Sequence, residues 1–139
     1  MAPLVFRHMA AAWGWGNSGV NRMVDIIDDD EAVRDSTRAL LECCGYAVRD
    51  HASAEKFLKQ EGARADCLLV DQHMPGMSGL ELIEHLRARG DRTPALMMTG
   101  RSDPSIEPRA ARIGVKLLLK PIPEDQLLRW IEQAQGDRQ

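Results

Sequence analysis

Aromatic residues are scarce, at three Trp, two Phe and one Tyr in 139 residues, so aliphatic side chains must supply most of any core. Cysteine is scarce as well. There are three, an odd count, with Cys43 and Cys44 adjacent and Cys67 apart. This excludes a disulfide framework and fits a reducing cytoplasm; all three read as small buried hydrophobes. Basic charge is not in excess, the net charge being −3. A broad nucleic-acid surface needs a basic patch, so no direct nucleic-acid contact is expected. No apolar run is long enough to span a bilayer, so no membrane role is expected either. The histidines His8, His51, His73 and His85 lack the spacing of a zinc site. What is present is ordinary for one globular domain, with 44% hydrophobic and 28% charged residues.

The most informative stretch is Cys67-Leu68-Leu69-Val70-Asp71, followed at once by Gln72-His73-Met74-Pro75-Gly76. A short apolar run without alternation is the pattern of a strand buried on both faces of a parallel sheet. Pro75 and Gly76 stop it. Asp71 then stands at the carboxyl end of a central strand, where open α/β sheets carry their chemistry. Taken alone, the stretch also fits an Asp that merely opens a turn.

Residues 1–22 differ from the rest. They are Gly- and Ala-rich without period and read as an N-terminal extension, flexible or non-native. Met23 is a candidate true start. Trp13 and Trp15 offer the sharper alternative of docking on a partner or on a second copy. Val24 to Ile27 reads as a first strand, and Asp28-Asp29-Asp30-Glu31 opens a helix whose dipole favours carboxylates. Val33, Leu40, Leu41 and Cys44 share one face of that helix, which Gly45 ends. Tyr46 to Asp50 alternates and reads as a strand near the sheet edge. Ser53 caps a short helix carrying Phe57 and Leu58. After the Asp71 strand, Ser78 and Glu81 form a capping box, and Leu82, Ile83 and Leu86 make a buried stripe. Ala95 to Thr99 is a fourth buried strand. Pro108 prefers a first helical turn, which predicts a short helix over 108–113. Val115 to Leu119 is predicted as a fifth buried strand. A last helix opens at Pro123 and buries Leu127, Leu128, Ile131 and Ala134. Five strands alternating with five helices imply a parallel sheet covered on both faces, with right-handed crossovers.

The buried strands end in Asp28-Asp29, Asp71, Thr99 and Lys120, all at one edge of the sheet. Three carboxylates about 5 Å apart repel by roughly 3 kcal/mol per pair at an effective dielectric near 20. A hard divalent cation offsets that cost, and Mg²⁺ takes carboxylate, water and phosphate oxygens. Lys120 adds a point charge suited to phosphate, and Thr99 adds a hydroxyl. Such a set serves phosphoryl transfer onto a carboxylate, with Asp71 as nucleophile.

The ordered set of Asp28-Asp29, Val-Asp71-Gln-His-Met-Pro-Gly-Met-Ser-Gly, Thr99-Gly100 and Lys120-Pro121 resembles a response regulator receiver domain of two-component signal transduction. The separations of 42, 28 and 21 residues between Asp29, Asp71, Thr99 and Lys120 suit that family. The phrases Ala-Val-Arg-Asp and Ala-Ser-Ala-Glu-Lys-Phe-Leu resemble receivers of the nitrogen-fixation-regulator type. The resemblance spans residues 23–136 and leaves 137–139 as a polar tail. It implies a flavodoxin-like, doubly wound (βα)5 fold with strand order 2-1-3-4-5. It implies that Asp71 is the phosphoacceptor, fed by a phosphohistidine on a sensor histidine kinase or histidine phosphotransfer protein. Asp28, Asp29, Asp71 and the main-chain carbonyl of His73 would hold Mg²⁺, with Mn²⁺ as a substitute. Thr99 and Lys120 would contact the phosphoryl oxygens, and Thr99 would shift to signal. Asp30 would serve the helix dipole rather than the metal, and Lys120-Pro121 would be cis.

The chain would then be a cytoplasmic signalling module, with homodimerisation open, and not a conventional enzyme, catalysing only its own phosphorylation and dephosphorylation. It would signal to a downstream protein in trans or lead into an effector domain. Two departures bear on output. Leu117 stands three residues before Lys120, where the family has an aromatic switch, and the helix after the fourth strand is interrupted by Pro108. They keep open a phosphate-independent binding module. A Mg²⁺-dependent aspartyl-phosphate phosphatase would carry a second acid where His73 stands. The bulk of His73 and Arg101 beside Asp71 and Thr99 predicts slow autodephosphorylation.

Overall fold

The computed structural model describes residues 22–137. In chain order the elements are β1 (Met23–Ile27), α1 (Glu31–Cys43), β2 (Ala47–His51), α2 (Ala54–Leu58), β3 (Cys67–Asp71), α3 (Gly79–Ala88), β4 (Ala95–Thr99), α4 (Glu107–Arg112), β5 (Lys116–Leu119) and α5 (Glu124–Asp137). The strands form one parallel sheet in the order β2-β1-β3-β4-β5. The doubly wound fold expected from the sequence is therefore the observed one. The readings of residues 1–21 and of the last two residues lie outside the described residues.

Strand residues alternate between two cores. Leu68, Val70, Ala95 and Met97 pack against Ala54 of α2, Leu82, Ile83 and Leu86 of α3 and Ala110 of α4. Val24, Ile26, Cys67, Leu69, Leu96 and Met98 pack on the other face against Leu41 of α1 and Leu128 and Ile131 of α5. β3 and β4 are buried at every position. That is why they read as unbroken apolar runs instead of alternating ones.

Local signals place the helix ends. The Asp30 carboxylate accepts the Ala32 and Val33 N–H groups as the cap of α1. Ser53 caps α2, and Ser78 with Glu81 forms the full reciprocal box of α3. Pro108 sits in the first turn of α4, whose span begins one residue before the predicted one. The Lys120–Pro121 bond is cis.

Two expectations need correction. Cys43 is exposed, whereas Cys44 and Cys67 are buried. Consecutive helical residues point about 100° apart, so Cys43 and Cys44 cannot both face the core. β5 is not a buried strand. It is the sheet edge, none of its four residues is fully buried, and Leu119 is 55% exposed. Its Leu-Leu-Leu run imitates a central strand, but one long side has no neighbour. On α1, Leu41 and Cys44 are buried, while Val33 and Leu40 are half-buried, Leu40 packing against the core.

One buried charge lies away from the sheet's carboxyl edge. Asp25, in the middle of β1, is 1% exposed. Its parallel register sets it beside Arg49 of β2, which reaches both carboxylate oxygens at 2.9 Å. His51 Nε2 lies 3.0 Å from Oδ1, and Gln60 donates at 3.4 Å to Oδ2. Burial alone would raise the Asp25 pKa, but His51 and Arg49 outweigh it and hold the carboxyl below its ordinary value. A depressed folded pKa stabilises the fold above the unfolded pKa, and that gain disappears as pH falls through the folded value. Asp25→Ala should therefore cost about 3 kcal/mol near neutral pH, the scale of breaking a buried pair. Urea unfolding should show the gap between wild type and variant closing as pH drops below about 4.

Candidate functional site at the carboxyl edge of the sheet

Each site residue lies at a strand's carboxyl end or just beyond it. Asp28 and Asp29 follow β1, Asp71 ends β3, Thr99 ends β4, and Lys120 follows β5. Pairing carries the edge into register, since Gln72 N–H bonds Met98 C=O at 2.8 Å and Lys120 N–H bonds Thr99 C=O at 2.7 Å. Lys120 Nζ lies 2.9 Å from Asp71 Oδ1 and 3.3 Å from Asp28 Oδ2. The ammonium thus bridges carboxylates from two other strands.

Asp28, Asp29 and Asp71 each present an oxygen, and these oxygens all lie within 4.8 Å of one another. Asp28 is fully buried, Asp71 is 5% exposed, and Asp29 is open to solvent. Asp28 is held firmly. Its Oδ1 accepts the Asp30 N–H at 2.9 Å, and its carbonyl accepts from the Arg34 guanidinium at 2.7 Å. The all-oxygen, partly exposed donor set fits a hard cation such as Mg²⁺, which keeps several waters.

The charges strain against one another. Burial raises the Asp71 pKa above the ordinary carboxylate value; the Lys120 hydrogen bond opposes this, and repulsion from Asp28 and then Asp29 adds to it. For Lys120, burial is the largest influence and works downward. The Asp71 hydrogen bond and the Asp28 and Asp71 charges together exceed it, and the net shift is upward. Lys120 is thus held as a cation while Asp71 is destabilised as an anion, a state that a further positive charge would relieve.

The structure brings together Asp28, Asp29, Asp71 and Lys120. Thr99 is 3% exposed, and its hydroxyl donates to the Arg101 carbonyl at 2.9 Å. The His73 ring lies over it, Nε2 standing 3.0 Å from Oγ1.

Two supporting residues had no role in the sequence reading. Gln72 is buried, and its Oε1 accepts the Leu80 N–H at 2.8 Å, fixing the start of α3. Gly79 packs on the backbone of Asp71 itself, where an added Cβ would meet the Asp71 carbonyl oxygen at 2.5 Å. The signal was visible, since Gly79 follows the capping Ser78, but only a through-space contact explains it. Gly79→Ala should cost about 1–3 kcal/mol through overpacking, and thermal unfolding together with Asp71 backbone shifts in NMR would measure it. The turn before it contains Gly76 at φ +78°, and Glu55 of α2 ties it down by accepting the Met77 N–H at 3.0 Å.

A parallel 2-1-3-4-5 sheet with an acidic pocket and a lysine at its carboxyl edge defines a phosphoryl-receiving signalling domain. The family model of the response regulator receiver domain matches residues 24–132, and the chain belongs to that family. It is 40% identical over 116 residues to the transcriptional regulatory protein FixJ of Azorhizobium caulinodans, covering 81% of this chain and 54% of the relative. FixJ of Bradyrhizobium diazoefficiens is 38% identical over 111 residues, covering 78% and 54%. The chain thus spans about half the length of these curated relatives. Among solved structures, FixJ-N superimposes with a TM-score of 0.75 at 34% identity, covering 84% of this chain and 95% of that one. Chemotaxis protein CheY4 of Vibrio cholerae does so with 0.74 at 27%, covering 83% and 99%. The domain is a two-component receiver of the nitrogen-fixation-regulator type, and the family implies a kinase partner. No helix among the described residues is long and apolar enough to cross a membrane.

Proposed function

We propose that Asp71 accepts a phosphoryl group from a phosphohistidine on a sensor histidine kinase or a histidine phosphotransfer protein. An Asp71 carboxylate oxygen attacks phosphorus. The nitrogen–phosphorus bond breaks, its electron pair returns to the imidazole, and an acyl phosphate forms. Asp28, Asp29, Asp71 and the His73 main-chain carbonyl would hold Mg²⁺, or Mn²⁺ in its place, whose chemistry is to neutralise the equatorial oxygens. Lys120, already 2.9 Å from Asp71, follows the new phosphoryl group as a donor. Thr99 turns its hydroxyl toward a phosphoryl oxygen and so reshapes the surface that a downstream protein reads.

The observation that carries this reading is the Lys120 bridge between Asp71 and Asp28 within an acid triad. The functional unit is residues 23–136, acting in the cytoplasm as a switch that catalyses only its own phosphorylation and dephosphorylation. A phosphatase reading is weaker, because the position two residues after Asp71 holds His73, whose ring is committed to Thr99.

Incubation with Mg²⁺ and acetyl phosphate, followed by intact mass, tests it. The chain should gain one phosphoryl group, and EDTA should abolish the gain. An unchanged mass with Mg²⁺ present would overturn the assignment.

A further inference from the structure

The Thr99 hydroxyl is fully engaged in the unphosphorylated domain. It has one proton. The Arg101 carbonyl can only accept, so the 2.9 Å contact between them uses that proton. His73 Nε2, 3.0 Å from the same oxygen, must then be the donor, which fixes the ring as the tautomer with hydrogen on Nε2. The Arg101 N–H also points at Oγ1, at 3.4 Å. No proton on Oγ1 remains for a phosphoryl oxygen, and two donors hold the oxygen where it is. The hydroxyl is also out of solvent, since Thr99 is 3% exposed whereas His73 lies on the surface.

His73 reaches Thr99 from the loop that begins directly after Asp71, the last residue of β3. A residue two positions from the phosphoacceptor therefore grips the hydroxyl that must move once Asp71 is modified. We infer that the His73 ring is a latch: its N–H holds Thr99 in the resting position, and phosphorylation must break this bond before Thr99 can donate to the phosphoryl group. His73 is a positioning residue, acting on the phosphoryl group through Thr99. The inference rests on Asp71 being the phosphoacceptor, and it differs from shielding by bulk, which needs only the size of the ring.

Three variants separate hydrogen bonding from size. His73→Phe keeps the bulk and loses the donor. His73→Gln keeps a donor on a flexible arm. His73→Ala loses both. The measurement is the dissociation constant of beryllofluoride, a phosphoryl analogue, at saturating Mg²⁺, followed by the Thr99 amide resonance. A lost hydrogen bond in the resting state should tighten binding about fivefold in both Phe and Ala variants, with Gln close to wild type. If Phe matches wild type in affinity while Ala alone departs, size rather than the bond is responsible and the latch is refuted. If all three match wild type, it is refuted as well. Asp71→Asn is the control for the underlying assignment. It should lose beryllofluoride binding altogether, and its retention would remove the phosphoacceptor reading and the latch with it.

Discussion

Asp71→Asn is expected to take up no phosphoryl group from acetyl phosphate under conditions in which the wild type is modified, with intact mass as the readout. The amide keeps the shape of the side chain but has no anionic oxygen to attack phosphorus. The same substitution should change stability in the opposite sense to most buried changes. Asp71 has a raised pKa in the fold, mainly through burial. A carboxyl whose folded pKa lies above its unfolded one favours the folded state only at low pH, and opposes it once pH rises past the folded value. At neutral pH the ionised side chain therefore costs stability in Mg²⁺-free buffer. Removing its charge should stabilise by on the order of 1 kcal/mol, the usual size of a single-residue effect. Lys120 keeps Asp28 as a partner at 3.3 Å, so no cation is abandoned. Mg²⁺ should reverse the order. At a hundred times its dissociation constant a ligand contributes about 2.7 kcal/mol, and the wild type, with three carboxylates, should gain more than the variant. Chemical denaturation with and without Mg²⁺ checks both signs. A variant less stable than wild type without the metal would contradict the electrostatic account.

Lys120→Met is the second large effect. The Met side chain fills the space of the lysine stem but carries no charge. Phosphorylation by acetyl phosphate should slow about a hundredfold, the scale of losing one preorganised donor to a transferring group. Asp28 is fully buried and loses the one cation that, among the described residues, lies within ion-pair distance of it. The variant should therefore be less stable by about 3 kcal/mol without metal. It should also bind Mg²⁺ more tightly than the wild type, because the competing ammonium is gone. Isothermal titration of Mg²⁺ would show this. Weaker Mg²⁺ binding than wild type would mean that Lys120 shapes the acidic pocket rather than competing for it.

Both effects depend on residues that the sequence named in order but could not place in space. Asp71, Asp28 and Lys120 were readable because each stands at or just past the carboxyl end of a strand, and parallel strands deliver all their carboxyl ends to one edge. The same logic failed at β5, where a run of three leucines looked central but lies at the rim with Leu119 exposed. Apolar content reports how many neighbours a strand wants, not how many the topology gives it. Cys43 and Cys44 failed for a related reason, since two adjacent helical positions cannot share one face.

Helix starts were set by the sequence itself, because Ser78 meeting Glu81, Asp30 meeting Val33, and Pro108 in a first turn act across a few residues. The contacts of His73 with Thr99, Gly79 with Asp71, and Asp25 with Arg49 and His51 join residues from different elements. They depend on parallel register and side-chain direction, which exist only once the sheet is built and both cores are packed. Short-range chemistry thus laid out which groups reach the sheet edge, and packing through space decided which of them hold one another there.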